Sequence, residues 1–216
     1  MTFIIDAKDF SDALYKKVQK CEKTVSPGII NQSSKNHSLL GRVLLSYILS
    51  EKGMSKKLSF TYGENGKPYL KNASTFFNIS HSGDYVICSI SESEIGCDVQ
   101  KMSEYKEKIA KRFFTGKEKA FLDNSDTPDE HFTKLWTMKE SVLKKTGEGI
   151  TGGLSSVCFA SCLHENSFIK FGYHFKVWKL TDAYISVCSD NENETLTEVN
   201  KEEIEKFMDS VLKGEL

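Results

Sequence analysis

The sequence predicts an α+β fold of two similar α/β halves, with residues 1–101 in one and residues 102–216 in the other. Three observations predict it. Apolar runs at helical spacing alternate with short β-branched runs along the chain. Tyr85-Val86-Ile87-Cys88-Ser89 is echoed by Tyr184-Ile185-Ser186-Val187-Cys188-Ser189, each after a strand–turn unit, as an internal repeat, or coincidence among β-forming residues, would give. At 216 residues the chain can hide roughly 70% of its unfolded surface, enough for a core without staples.

The elements follow in order. Residues 38–51 repeat Leu39, Val43, Leu44, Tyr47 and Ile48 at helical spacing, and Gly53 ends that helix. Residues 58–62 read as a short strand and 63–68 as a turn. Strands at 76–80 and 85–91 are joined by His81-Ser82-Gly83-Asp84, and 95–99 is another strand. Residues 105–114 form a basic amphipathic helix. Thr115 with Glu118, and Thr127 with Glu130, each match a capping box: the hydroxyl takes an orphan helix amide and the glutamate reaches back. Pro128 reinforces the second box, which opens a helix that Gly147 closes. Residues 168–180 and 183–189 read as the two strands of a hairpin, and 202–213 as a final helix.

Composition excludes several classes. Hydrophobic residues make up 39% and charged residues 27%, ordinary for a globular protein. No apolar run approaches the ~20 residues of a membrane span, and the N-terminus lacks a signal-peptide pattern. We therefore expect a cytoplasmic protein with no membrane partner. The net charge of −1 hides an asymmetry: residues 190–216 hold nine acids against three lysines, leaving +5 on the rest. A modestly basic body suits an anionic ligand or an acidic partner. The six cysteines include no CxxC pair, and Cys158 and Cys162 lack a second ligand pair at zinc spacing.

One residue contradicts its surroundings. Phe132, Leu135, Trp136, Val142 and Leu143 form a helical stripe, yet Lys139 falls near its centre. A buried unpaired ammonium costs several kcal/mol, so Lys139 must snorkel to water or meet an anion. Glu140 lies on the stripe's edge, with Lys144 one turn beyond. In Ile95-Gly96-Cys97-Asp98-Val99-Gln100, alternation puts Asp98 and Gln100 on one side and the apolar residues on the other. Asp98, the Gln100 carbonyl and Glu140 would together make a magnesium site of hard oxygens. Lys67 and Pro68 sit in a turn that offers a positive charge; Ser80 and His81 end a strand with good phosphate partners. A Ser80–His81 hydrolase dyad is disfavoured: neighbours in an extended chain point apart, and no GxSxG is present.

These stretches, HSLLGRVLLS, GENGKPYL, FNISHSGDYVI, IGCDVQ, IAKRFFTGKEKAFL and LWTMKESVLKKTGEGI, run in that order between about residues 36 and 153. Together they resemble the 4′-phosphopantetheinyl transferases of the larger, surfactin-synthetase-activating type. The resemblance implies a pseudo-twofold fold with coenzyme A between the halves. It implies transfer of the phosphopantetheine arm to a serine of an apo acyl or peptidyl carrier protein, with release of 3′,5′-ADP. Asp98 and Glu140 would hold Mg²⁺ (or Mn²⁺), with Gln100 at the third position. Glu140 would be the base for the serine, and Lys144 would contact the diphosphate. Ser38, Arg42, Lys67, Pro68, Ser80 and His81 would grip the nucleotide. Lys139 would reach the coenzyme A phosphates or Glu140, so Lys139→Ala is expected to lower activity more than stability.

Two departures stand out. Gln100 occupies a place where many relatives carry glutamate, and the basic cluster before the first matching helix is thin, reduced to Lys23, Lys35, His37 and Arg42. Carrier docking is expected near Lys111, Arg112, Phe113, Phe114 and Lys117, with Phe121 close by. The alternative is an inactive coenzyme A- or carrier-binding module of the same fold. Nucleic-acid binding is disfavoured, since the basic segment is short and carries no DNA or RNA motif. A monomer would suffice, because both halves lie in one chain.

Overall fold

The computed structural model of the protein describes residues 1–26, 36–71, 73–149 and 153–215, so Lys35 and Ile150 lie outside the described residues. Strand β1 (Thr2–Asp6) is followed by helix α1 (Asp12–Val25), capped by the Ser11 hydroxyl, which accepts from the Leu14 amide at 3.2 Å. Leu14, Val18 and Cys21 of α1 meet Leu40, Val43, Leu44 and Ile48 of α2 (Asn36–Glu51) in one core. A small hairpin of β2 (Phe60–Tyr62) and β3 (Pro68–Leu70) precedes the hairpin of β4 (Phe76–Ser82) and β5 (Tyr85–Ser91). β5 also pairs antiparallel with β1. Phe77 and Ile79 of β4 turn towards the core under α2.

The second half repeats this plan. β6 (Gly96–Lys101) leads into α3 (Glu107–Phe113), α4 (Gly116–Asp123) and α5 (Pro128–Thr146), then β7 (Ser167–Lys170), β8 (Tyr173–Lys179) and β9 (Ala183–Ser189). β9 pairs antiparallel with both β6 and β8, as β5 pairs with β1 and β4. The sequence echo therefore falls on β5 and β9, equivalent central strands of the two sheets. Ile4 and Ile87 from one half and Ile95, Cys97, Val99, Ile185 and Val187 from the other form an apolar layer between them. Among the described residues no helix is long and apolar enough to cross a membrane.

The division at residue 101 needs correction at both ends. β6 belongs to the second sheet, with Asp98 opposite Ser186, so the halves part between β5 and β6. The C-terminal segment returns to the first half. β10 (Leu196–Glu198) runs parallel to β1, and α6 (Lys201–Lys213) buries Ile204, Phe207, Met208 and Val211 in the core of α1 and α2. Each such side chain stabilises by about 1.5–3 kcal/mol when buried. Periodicity shows that an element has a buried face; it does not show which sheet covers that face.

Two local expectations also change. The run at 168–180 is broken by Phe171 (φ 55°) and Gly172 (φ 78°), which turn β7 into β8. Thr127 makes no capping bond at the start of α5; Glu130 instead accepts from Lys179 at 2.6 Å and from the Tyr184 hydroxyl at 2.5 Å. The Thr115–Glu118 box is formed, and Gly147 (φ 74°) closes α5 in the left-handed conformation that favours glycine.

Candidate active site

Gly96 decides how α5 meets β6. A Cβ at Gly96 would lie 2.1 Å from the Ser141 carbonyl oxygen and 2.2 Å from the Lys145 amide nitrogen, both backbone atoms of α5. Helix and strand therefore touch main chain to main chain. That contact sets Glu140 and Lys144 of α5 over Asp98 of β6. Lys144 Nζ donates to Asp98 Oδ1 at 2.6 Å and to Ser80 Oγ at 2.8 Å, and Ser80 Oγ donates to Asp98 Oδ1 at 2.8 Å. Asp98 is 1% exposed, so these donors offset the cost of hiding its charge. Burial alone would push the Lys144 ammonium down, but Asp98, with Cys97 and Glu140 adding, holds it above the ordinary lysine range.

Glu140 is the unsatisfied member. It is buried, and its Oε1 has no hydrogen-bond partner. Burial, and then the charge of Asp98, push its carboxyl above the ordinary range, with Lys144 opposing. A buried carboxylate oxygen without a donor calls for a cation. Two neighbouring carboxylates, one of them with an orphaned oxygen, suit a magnesium-type ion, which takes one or two carboxylates and completes its shell with water and phosphate. Among the described residues no group of three or more His, Cys, Asp or Glu could hold a metal; the expected third position is the Gln100 amide. That amide does not face Asp98 as expected: Gln100 Nε2 donates to Asp98 Oδ2 at 3.0 Å, while its Oε1 accepts from Ser82 at 3.5 Å. The expected third oxygen is thus turned away, because the amide's N–H end donates to Asp98 Oδ2.

Alternation along β4 sends Ser80 to the carboxylates and His81 to the opposite face. There Ser38, Arg42, Pro68, Tyr62 and His81 line a pocket of about 300 Å³. Ser38 Oγ lies 3.0 Å from His81 Nε2, and Arg42 Nε donates to Glu22 at 2.7 Å. His37 stands beside it, its ring 6.1 Å from that of His81 and its Nε2 2.9 Å from the Tyr15 hydroxyl. Tyr15 carried no sequence signal; it arrives with α1.

Two expected ligand contacts are corrected. Lys139 is wholly buried against Glu118 at 2.9 Å, donates to the Leu154 carbonyl at 2.7 Å and to that of Val157, and lies over the Phe114 ring. Its anion is Glu118 of α4, and Glu118 Oε1 also takes the Phe159 amide at 2.8 Å. Lys67 likewise turns away from the pocket. Its Nζ donates to Glu94 at 2.5 Å and to the Lys145 carbonyl at 2.7 Å, binding the β2–β3 turn to the end of α5. The capping box was the signal for Glu118; nothing local marked Glu94.

Of the expected docking residues, Lys111, Arg112 and Lys117 are exposed, whereas Phe114 is buried against Phe132 and Trp136. Phe113 is half-buried on Trp136, with Arg112 over its ring. Phe114 is therefore a core residue, packed inward by the turn between α3 and α4.

Comparison with known proteins agrees with this architecture. A model of the N-terminal region of 4′-phosphopantetheinyl transferase matches residues 6–93, and the model of the 4′-phosphopantetheinyl transferase superfamily matches residues 94–188. Their junction coincides with the gap between β5 and β6. The 4′-phosphopantetheinyl transferase Sfp of Bacillus subtilis (strain 168) is 30% identical over 204 residues, 88% of this chain and 88% of its own. The transferase ffp of Bacillus subtilis is 35% identical over 156 residues, 70% of this chain and 66% of its own. The putative transferase slr0495 of Synechocystis is 38% identical over 136 residues, 59% of this chain and 55% of its own. With two matched halves and a relative similar along nearly its whole length, the chain belongs to the 4′-phosphopantetheinyl transferase superfamily, as an enzyme of the Sfp type.

Proposed function

We propose that the chain moves the 4′-phosphopantetheine arm of coenzyme A onto a serine of an apo acyl or peptidyl carrier protein and releases 3′,5′-ADP. The observation that carries this is the buried, partnerless Glu140 oxygen beside Asp98 and Lys144, where the two halves meet. Asp98 and Glu140 would hold a divalent ion, Mg²⁺ or Mn²⁺. When bound, it supplies a Lewis acid that draws charge from the diphosphate.

The chain's own groups do the rest. The pocket of Ser38, Arg42, Pro68 and His81 receives the nucleotide end, and Lys144 brings positive charge to the diphosphate. The serine oxygen forms a bond to the phosphorus bearing the pantetheine as the bond from that phosphorus to the nucleotide phosphate breaks. The serine proton passes to the Glu140 carboxylate, which burial and then the charge of Asp98 push above the ordinary carboxyl range. The exposed Lys108, Lys111, Arg112 and Lys117 offer an acidic carrier a docking face, and one chain contains the complete site. The protein would act in the cytoplasm.

Incubation with coenzyme A, Mg²⁺ and an apo carrier should add about 340 Da to the carrier, the mass of the transferred arm. A carrier of unchanged mass, tried across fatty-acid, polyketide and peptide types despite bound coenzyme A, would instead make the chain a binding module.

A further inference from the structure

β4 and β6 are edge strands of separate sheets that face each other across the junction. No ladder joins them, yet the β6 amides on that side are not orphaned. Asn78 Oδ1 accepts from the Cys97 amide at 3.0 Å, Ser80 Oγ from the Val99 amide at 3.3 Å, and Ser82 Oγ from the Lys101 amide at 3.0 Å. Both strands contribute every second residue, so one face of β4 reads one edge of β6. The Cys97 thiol adds a bond to the Asn78 carbonyl at 3.3 Å. Gly83 then leaves room for the Lys101 stem, which an added Cβ would approach to 2.7 Å.

Side chains here do what a neighbouring strand's carbonyls do in a ladder. The apolar layer of Ile4, Ile87, Ile185 and Val187 has no directional contacts and cannot fix how far one half slides along the other. Hydrogen bonds can, because they fail steeply with misalignment. The middle acceptor, Ser80, is also the one that binds Asp98 and Lys144. The outer two touch none of the groups assigned to the reaction centre except through a weak contact of Ser82 with Gln100.

We propose that Asn78 and Ser82 are positioning residues for the transfer: they lock the register of β6 against β4 and so hold Asp98 at the level of Ser80, Lys144 and the nucleotide pocket. This rests on the reading of Asp98 and Glu140 as the transfer site. Asn78→Leu keeps the shape and removes the acceptor; Asn78→Asp restores an acceptor oxygen. Ser82→Ala and Ser82→Thr form the second pair.

The test measures kcat and KM for coenzyme A, melting temperature, and hydrogen exchange at the Cys97 and Lys101 amides. Asn78→Leu should lower kcat about tenfold or more, as small misplacements of reacting groups do, with KM for coenzyme A within about twofold. Its Cys97 amide should exchange faster, and Asn78→Asp should recover most of the kcat. Ser82→Ala should show a smaller loss at Lys101, recovered by Ser82→Thr; this half-buried pair carries the test if Asn78→Leu does not fold. Leu and Asp variants of equal kcat, or faster exchange with kcat unchanged, would overturn the positioning role while leaving the transferase reading intact. A wild-type protein that binds coenzyme A but modifies no carrier would overturn both.

Discussion

Replacing Lys139 by methionine separates stability from catalysis. The substitution fills similar space but leaves Glu118 buried with a charge and strips a donor from the Leu154 and Val157 carbonyls. Breaking a buried ion pair by removing one partner costs about 3–5 kcal/mol. Glu118 retains bonds from the Thr115 amide at 2.8 Å, the Thr115 hydroxyl at 3.0 Å and the Phe159 amide at 2.8 Å, which favours the lower end. For a chain of this size each kcal/mol shifts the melting temperature by about 2–4 °C, so a loss of about 3 kcal/mol predicts a fall of roughly 6–12 °C. Adding Glu118→Gln should recover part of the loss, because a neutral amide is cheaper to bury than an unpaired carboxylate. Melting followed by circular dichroism gives the stability; carrier modification well below the transition gives kcat. An unchanged melting temperature with a collapsed kcat would refute this account and restore Lys139 to the reaction centre.

Four further variants probe other parts of the argument. Gly96→Ala forces a Cβ to 2.1 Å from the Ser141 carbonyl oxygen, so α5 must lift from β6; yield of folded protein or carrier modification should fall severely, and a normal enzyme would show that the contact is not tight. Glu140→Gln should lower kcat by about 10²–10⁴-fold, the usual contribution of a general base, with the circular dichroism spectrum unchanged. Lys117→Glu together with Arg112→Glu should raise KM for an acidic carrier but not for coenzyme A, and added salt should narrow the difference from wild type. His131 packs edge-on to Phe121 and lies 2.7 Å from Ser125, and burial, opposed by Glu130, pushes its pKa below the ordinary value. The unfolded chain therefore takes up that proton first. Stability should fall as pH drops from about 6.5 to the folded pKa, and His131→Phe should flatten that part of a urea-denaturation pH profile.

The sequence revealed what is local and hid what depends on neighbours. Helix α2, the β4–β5 hairpin, the Thr115 box and the Gly147 stop are written in residues a few positions apart. The expectation that Asp98 and Glu140 act together comes from motif order, since 42 positions separate them in the chain. Lys139 is the instructive failure. Its place in an apolar stripe correctly demanded an anion, but the chain holds several carboxylates, and only packing selects Glu118. Lys67 failed likewise, since a lysine in a turn looks the same whether it faces a phosphate or the last carbonyls of a helix. β1 and α1 escape the sequence reading because their apolar residues carry no motif, and the acidity of residues 190–216 masks that one face of α6 is core.

The arrangement also explains why one seven-residue strand can serve both halves of the site. Phe77 and Ile79 must face the core under α2, which turns His81 towards the nucleotide pocket. Asn78, Ser80 and Ser82 must then face β6, which turns Ser80 to Asp98. A slip of one residue against β5 would exchange the two faces, sending Phe77 and Ile79 into the polar junction and stranding the β6 amides. Burial on one side and hydrogen bonding on the other thus oppose the same error. The pocket and the carboxylates cannot drift independently, because each lies on its own face of β4.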